Sequence, residues 1–311
     1  MNKSTNILKA IVHFVQVEEA AFTLDQNYQN RIQAQGEKLE AYIKRLFSLS
    51  LNDNDLDSKV FELTGRITGD ESDIDQKTLR KFHGFFSWLG SANNPPDLKL
   101  RNGDCVEIKK IGKKKSSPFV AIALNSSPPR AKMKKDDPMI QEGMRTCEEG
   151  WTASDVLYVV GVEDERKKTG LRHIWMFYGD TLFDDQLFKS IRASMKEIFD
   201  ELGTEIGFKF SETKELGRLN DLGINDLSYL RIRGMYEMKA LNYLKKEGII
   251  HKSKKVCAVM RDSKYLSFPD EDRANLEDCQ GKGLLNIEDF QLTDPEMKDS
   301  KINIKVVSVE P

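Results

Sequence analysis

"NNPPDLKLRNGDCVEIKKIG", residues 93–112, decides the fold, because the length of one turn settles which of its side chains share a face. Asn102-Gly103 marks that turn between two short runs of alternating apolar and polar residues. A two-residue loop would pair Leu98 with Glu107 and scatter the apolar residues over both faces. A three-residue loop, Arg101-Asn102-Gly103, instead pairs Leu98 with Val106 and Asp97 with Glu107, with Gly103 in the left-handed position of a bulged turn. Leu98, Leu100, Val106 and Ile108 then share one face, so this register is expected. Strand residues two apart point the same way, which brings Asp97, Glu107 and Lys109 together on the opposite face.

Two carboxylates opposed across a hairpin repel unless something positive lies between them, and a divalent cation supplies that charge. Mg²⁺ takes one or two protein carboxylates together with waters and phosphate oxygens, so an incomplete acidic site beside a polyanion suits it. The chemistry expected is phosphodiester hydrolysis. Asp97 and Glu107 hold the metal, which polarises the phosphate and acidifies water. Lys109 positions or deprotonates the attacking water and stabilises the charge that grows on the phosphate. Since 32% of the chain is charged, a chance arrangement on an exposed hairpin is the competing reading. The proline before Asp97, the hairpin parity and the apolar run "FVAIALNSSPP" that follows favour the catalytic one.

Outward from the hairpin, Leu39, Tyr42, Ile43, Leu46 and Phe47 recur at helical spacing and predict an amphipathic helix over about residues 27–48. "QKTLRKFHGFFSWLG" predicts a second helix ended by Gly90, and the prolines of "SANNPP" set an extended entry to the hairpin. "FVAIAL" and "VLYVVGV" are nearly continuous apolar runs, expected in a sheet covered on both faces. "DPMIQEGMRTCEEGW" reads as a helix begun at Asp-Pro, and "DDQLFKSIRASMKEIFDEL" as a longer one through Leu187, Ile191, Met195, Ile198 and Phe199. "HIWMFYG", "KVCAVM" and "INIKVVSV" add further strands. The expected class is an α/β core with helical additions.

Composition narrows the chemistry further. The 311 residues carry a net charge of −2, so attraction to nucleic acid has to come from local segregation of charge. From Asp97 to Lys135 there are eleven lysines and arginines against three acids. The four cysteines form no C-x-x-C pair and the four histidines no metal motif, which leaves oxygen ligands for any metal. There is no GxxxxGK[ST] loop, no signal peptide and no apolar run long enough to span a membrane, so a cytoplasmic location is expected.

Pro96-Asp97 followed by Glu107-Ile108-Lys109 resembles the signature of the PD-(D/E)XK nucleases. The wider stretch "SANNPPDLKLRNGDCVEIKKI", continuing into "ALNSSPPRAKMKKDDPMI", resembles type II restriction endonucleases of the NgoPII type, and "ETKELGRLNDLGINDLSYLRIRGMYEM" is similar to the C-terminal region of that family. The resemblance spans roughly residues 30–240. It implies a restriction-endonuclease-like α/β/α core with a mixed central sheet, and Mg²⁺-dependent cleavage of double-stranded DNA at a short sequence, GC-rich such as GGCC. A homodimer and a cognate DNA methyltransferase that protects the host genome are implied as well. In the wider superfamily a glutamate on a helix before the hairpin joins the metal site, and Glu40 in "GEKLEAYIKRLF" is the matching residue. The chain then divides as one nuclease domain, 1–311, with a mainly helical region 1–90, a catalytic core 91–205 and a DNA-recognition and C-terminal region 206–311.

DNA contacts are expected from the donor-rich loop "LNSSPPRAKMKKDD", through Asn125, Ser126, Ser127, Arg130, Lys132, Lys134 and Lys135. In "YLRIRGM", Arg231 and Arg233 fall on one side of a strand, where paired arginines can read guanine O6 and N7. Lys214 and Arg218 accompany them, and Trp88, Trp151 and Trp175 are assigned to packing. Two other functions remain open from residues alone: a structure-specific repair or recombination nuclease of the same fold, and a noncatalytic DNA-binding protein. Discrete plasmid fragments distinguish the first reading from trimming at ends or branches, and any cleavage excludes the last.

Overall fold

The computed structural model describes residues 4–17, 34–49, 63, 65–66, 75–90, 94–112, 117–125, 127–164, 170–205, 217–222, 228–232 and 234–310. In chain order the first half holds α1 (Ile7–Gln16), α2 (Ala34–Phe47), β1 (Gly65–Arg66), α3 (Gln76–Phe85), β2 (Phe86–Leu89), β3 (Leu98–Leu100), β4 (Cys105–Ile111), β5 (Ile122–Asn125), β6 (Lys132–Lys134) and α4 (Glu142–Arg145). β7 (Ala153–Glu163), β8 (Leu171–Tyr178), α5 (Asp185–Glu205), β9 (Gly217–Leu222), β10 (Ser228–Ile232) and β11 (Tyr236–Met238) follow. The chain ends with α6 (Ala240–Lys246), β12 (Val256–Arg261), α7 (Asp262–Ser267), α8 (Asp270–Gly281), β13 (Asn286–Thr293) and β14 (Lys301–Val309).

The central sheet is mixed, in the order β1-β2-β3-β4-β7-β8-β12-β14-β13, with β6 alongside β7. β4 pairs with β7 and β8 with β12 in parallel, and the other ladders of this sheet are antiparallel. The two sheet faces build two cores, as expected for a sheet covered on both sides. On one, Leu98, Leu100, Val106, Leu157 and Val159 pack with Ile11, Ile43, Phe82 and Leu276 from α1, α2, α3 and α8. On the other, Cys105, Tyr158, Val160 and Phe177 pack with Met144 of α4, Leu241 and Leu244 of α6, and Leu124 of β5. The result is the α/β core with a mixed central sheet that was expected.

The hairpin adopts the three-residue loop: Leu98 pairs with Val106 and Lys99 with Cys105. Leu100 N–H donates to Asp104 O (2.9 Å) and Gly103 N–H to Leu100 O (3.0 Å), closing the turn. The left-handed residue is Asn102 (φ 54°) and not Gly103. Asparagine tolerates that conformation through its short polar side chain, so the turn does not need its glycine there. Behind the turn, Lys264 Nζ lies 2.7 Å from both Asp104 and Asp155, and Tyr178 Oη donates to Asp104 at 2.5 Å. These bonds tie the hairpin to β7, β8 and α7.

Three expectations give way. The helix from Gln76 stops at Phe85, and Phe86–Leu89 is a buried strand paired with β3, because bulky aromatic residues at a sheet position gain more from ladder bonds and two-sided burial than from another helical turn. "FVAIAL" is not a central strand: β5 pairs with β11 in a separate ribbon, burying Ile122 and Leu124 while Ala121 and Ala123 are exposed. The helix expected from Asp137 shrinks to α4, since Asp137 is drawn into bonds with Arg130 and the Met139 N–H. α2 fits the predicted helix over its described part, residues 34–47; residues 27–33 lie outside the described residues.

Candidate active site

Asp97 enters the hairpin under tight backbone constraint. Gly90 N–H donates to Asp97 O at 2.7 Å, and a Cβ on Gly90 would lie 2.1 Å from Pro96 O. Glycine is required by that close approach, which fixes the backbone carrying Asp97. The Asp97 carboxylate then accepts the Ile108 N–H at 2.5 Å, linking β4 to the start of β3. In parallel register with β7, Glu107 lies beside Tyr158 and Lys109 beside Val160. Tyr158 stacks on Phe177 (ring centroids 5.3 Å) and meets Phe183 edge-on (5.7 Å), so the site has an aromatic, low-dielectric floor.

The three signature side chains converge as the parity required. Lys109 Nζ donates to Glu107 Oε1 at 2.6 Å, while Glu107 Oε2 is buried with no hydrogen-bond partner. Burial and then the neighbouring charge of Glu107 push the Asp97 carboxyl up to about 8, against the opposing pull of Lys109 and the Ile108 N–H; Glu40 adds a smaller upward push. Burial draws the Lys109 ammonium down, but Glu107 and Asp97 outweigh it and hold the group above its ordinary value. At neutral pH Asp97 therefore keeps a proton until a cation replaces it.

Among the described residues no group of three or more His, Cys, Asp and Glu side chains gathers into a metal cluster. Two carboxylates suffice for a hard cation that keeps waters and takes phosphate oxygens, and the unpartnered Glu107 Oε2 together with the crowded Asp97 carboxyl fits that donor set. Glu40 stands at the margin. It is near enough to act on Asp97, but its carboxylate is 2.9 Å from Lys44 Nζ on the next turn of α2. α2 is seated there because Gly161 leaves room for Leu39, whose Cδ1 would be 2.6 Å from an added Cβ.

The expected DNA contacts scatter more widely. Arg130 is buried, its guanidinium bound to both oxygens of Asp137 (2.9 and 3.2 Å) and to Ser127 Oγ, so it braces the loop and is not placed to read a base. Lys132 and Lys134 sit on a short strand and not in a loop; Lys132 is exposed, 3.6 Å from Asp155. Asn125 ends β5, while Ser126, Lys214 and Arg233 lie outside the described residues. Arg218 and Arg231 are directly opposite each other in the register of the β9–β10 ribbon.

Sequence reading missed the brace beneath the hairpin. Lys99, almost wholly buried, donates to Glu148 at 2.6 Å and to the carbonyls of Leu100 and Gly103, and Glu148 accepts the Asn102 N–H at 2.7 Å. The signal available was parity, which places Lys99 on the same face as Asp97 and Glu107; its partner, 49 positions away, carried none. Tyr158 was hidden in an apolar run.

A family model described as NgoPII restriction endonuclease matches residues 5–68 and 67–293. The chain is 33% identical over 309 residues to the Type II restriction enzyme NgoPII of Neisseria gonorrhoeae, across 97% of this chain and 99% of that relative. No solved structure matches the chain.

Proposed function

This chain belongs to the NgoPII restriction endonuclease family, and from that premise we propose that it hydrolyses duplex DNA with Mg²⁺ at Asp97, Glu107 and Lys109. As a type II restriction endonuclease it takes DNA as its substrate. The observation that carries the site is the convergence of Lys109, Glu107 and Asp97 on one sheet face, with one Glu107 oxygen buried and unpartnered. Asp97 and Glu107 would hold the cation, with Asp97 in its deprotonated form, and Glu40 would support them from α2. Bound there, Mg²⁺ supplies positive charge to the scissile phosphate and eases deprotonation of water. Lys109, kept charged by both carboxylates, orients the attacking water and neutralises charge growing on the phosphate. The aromatic floor of Tyr158, Phe177 and Phe183 excludes bulk water and strengthens each of these interactions.

Lys132 and Lys134 lie beside β7 and meet phosphates. A GC-rich target such as GGCC agrees with the facing Arg218 and Arg231, since arginine pairs bidentately with guanine. The enzyme works in the cytoplasm as a homodimer, with a methyltransferase protecting the host's own sites. Purified protein is expected to cut plasmid DNA into discrete fragments with Mg²⁺, while Lys109→Ala and Asp97→Ala bind DNA and lose at least about 10²-fold in rate. Undiminished cleavage by both variants would overturn the site, and sequencing the cut ends gives target and stagger together.

A further inference from the structure

α5 is 21 residues long, about 31 Å at the helical rise of ~1.5 Å per residue, and Gly203 is its buried residue. Leu187, Ile191, Met195, Ile198 and Leu202 are 50%, 38%, 39%, 61% and 42% exposed. Successive members are three or four positions apart, so they form one continuous line down the helix. Isolated exposed apolar residues are ordinary, but a stripe of five large ones marks a surface built to be covered. The adjoining side holds the helix to its own chain. Phe188 meets Tyr236 edge-on (6.0 Å), and Asp185 accepts the Ala131 N–H (2.7 Å) and Lys132 N–H (3.2 Å).

We propose that a second copy of this chain covers the stripe, its own α5 lying antiparallel about a two-fold axis near Ser194 and Met195. Two features select that occupant. The spacing reads almost the same in both directions, so an antiparallel copy sets Leu187 against Leu202 and Ile191 against Ile198. Charge also divides along the helix. After Asp185, Lys189, Arg192 and Lys196 occupy the first part, and Glu197, Asp200, Glu201 and Glu205 the second. An antiparallel copy brings each basic part beside the other's acidic part and opposes the two helix dipoles, whereas a parallel copy stacks like on like. Such a contact is isologous, the symmetry of most homodimers. The inference rests on the restriction endonuclease reading in one respect: two copies provide one active site for each DNA strand. Asp185 anchors α5 to the backbone of β6, so the helix pair connects the two catalytic sheets directly.

Sedimentation of the full chain, without DNA or metal, tests it. The wild type is expected as a dimer, and Ile191→Lys combined with Ile198→Lys as a monomer of unchanged far-ultraviolet circular dichroism. A second arm uses cross-linking, for which the four native cysteines are buried and unpaired. Ser194→Cys is expected to cross-link to itself; Leu187→Cys alone is not, but Leu187→Cys with Leu202→Cys is. A monomeric wild type at micromolar concentration, a dimer that survives the double lysine variant, or self-linking of Leu187→Cys alone would each overturn the proposal. If the lysine variant loses its circular dichroism, the cross-linking pattern decides. Lys109→Ala is expected to stay dimeric, so a failure of the active-site assignment shows in cleavage and a failure of this interface in mass.

Discussion

Asp97 is held between two states of charge, and its ionisation governs both stability and metal affinity. Its carboxyl rises from 3.8 to about 8, so between those values the folded chain holds a proton that the unfolded chain releases. This contribution to metal-free stability is complete below the unfolded value and is lost as pH climbs through about 8. Thermal unfolding of the metal-free protein is therefore expected at lower temperature at pH 8 than at pH 6, with the gap narrowed by Mg²⁺, which binds better once the proton has left. Glu107→Gln removes one upward push and is expected to lower the Asp97 titration midpoint, measured by carboxyl NMR; an unmoved midpoint would contradict the geometry. At this scale the sequence was informative wherever alternation applied. That Asp97, Glu107 and Lys109 share one face followed from parity, because strand side chains have no other choice of face, while their chemistry needed the preceding proline and the apolar run that follows as well. Arg130 and Glu148 were illegible because their roles depend on partners brought together by tertiary structure, Asp137 for one and Lys99 for the other.

Elements decide how firmly those residues are aimed. Gly90→Ala would drive a Cβ into the carbonyl of Pro96, and the backbone must shift to accommodate it. A loss of about 1–3 kcal/mol in denaturant-induced unfolding is expected, together with a fall in cleavage at saturating DNA. Gly84→Ala, with nothing within 4 Å of the added Cβ, is the control and should change neither measurement strongly. On β6, Lys132→Ala and Lys134→Ala are each expected to reduce the salt dependence of DNA binding by about one unit of slope, read from titrations at several ionic strengths. A flat response would remove this strand from the DNA interface. Strong periodicity or unbroken apolarity made α2, α5, β7 and β14 readable. Short segments were not: "FSWL" and "FVAIAL" have similar composition, yet one joins the main sheet and the other a side ribbon, since neighbours and not propensity choose between them.

For the whole molecule, a net charge of −2 means that DNA is attracted locally, so chelating the metal is expected to abolish cleavage while leaving much of the binding, as a gel-shift assay beside a cleavage assay would show. Loss of both together would mean that the cation and the duplex share one binding step. The layered architecture was legible because long apolar strands need cover on both faces; periodicity also announced α5, and its apolar line is exposed. Helical periodicity records that a face is to be covered without recording by which chain. Cys105 adds a different use for the closed hairpin. Its thiol is wholly buried two positions before Glu107, and burial raises its pKa, so a thiol reagent has to wait for the strand to open. The labelling rate of Cys105 thus acts as a clock on the active site's own breathing. A cation that binds only the closed form should slow that clock by the factor 1 + [M]/Kd, weighing the metal with no DNA present.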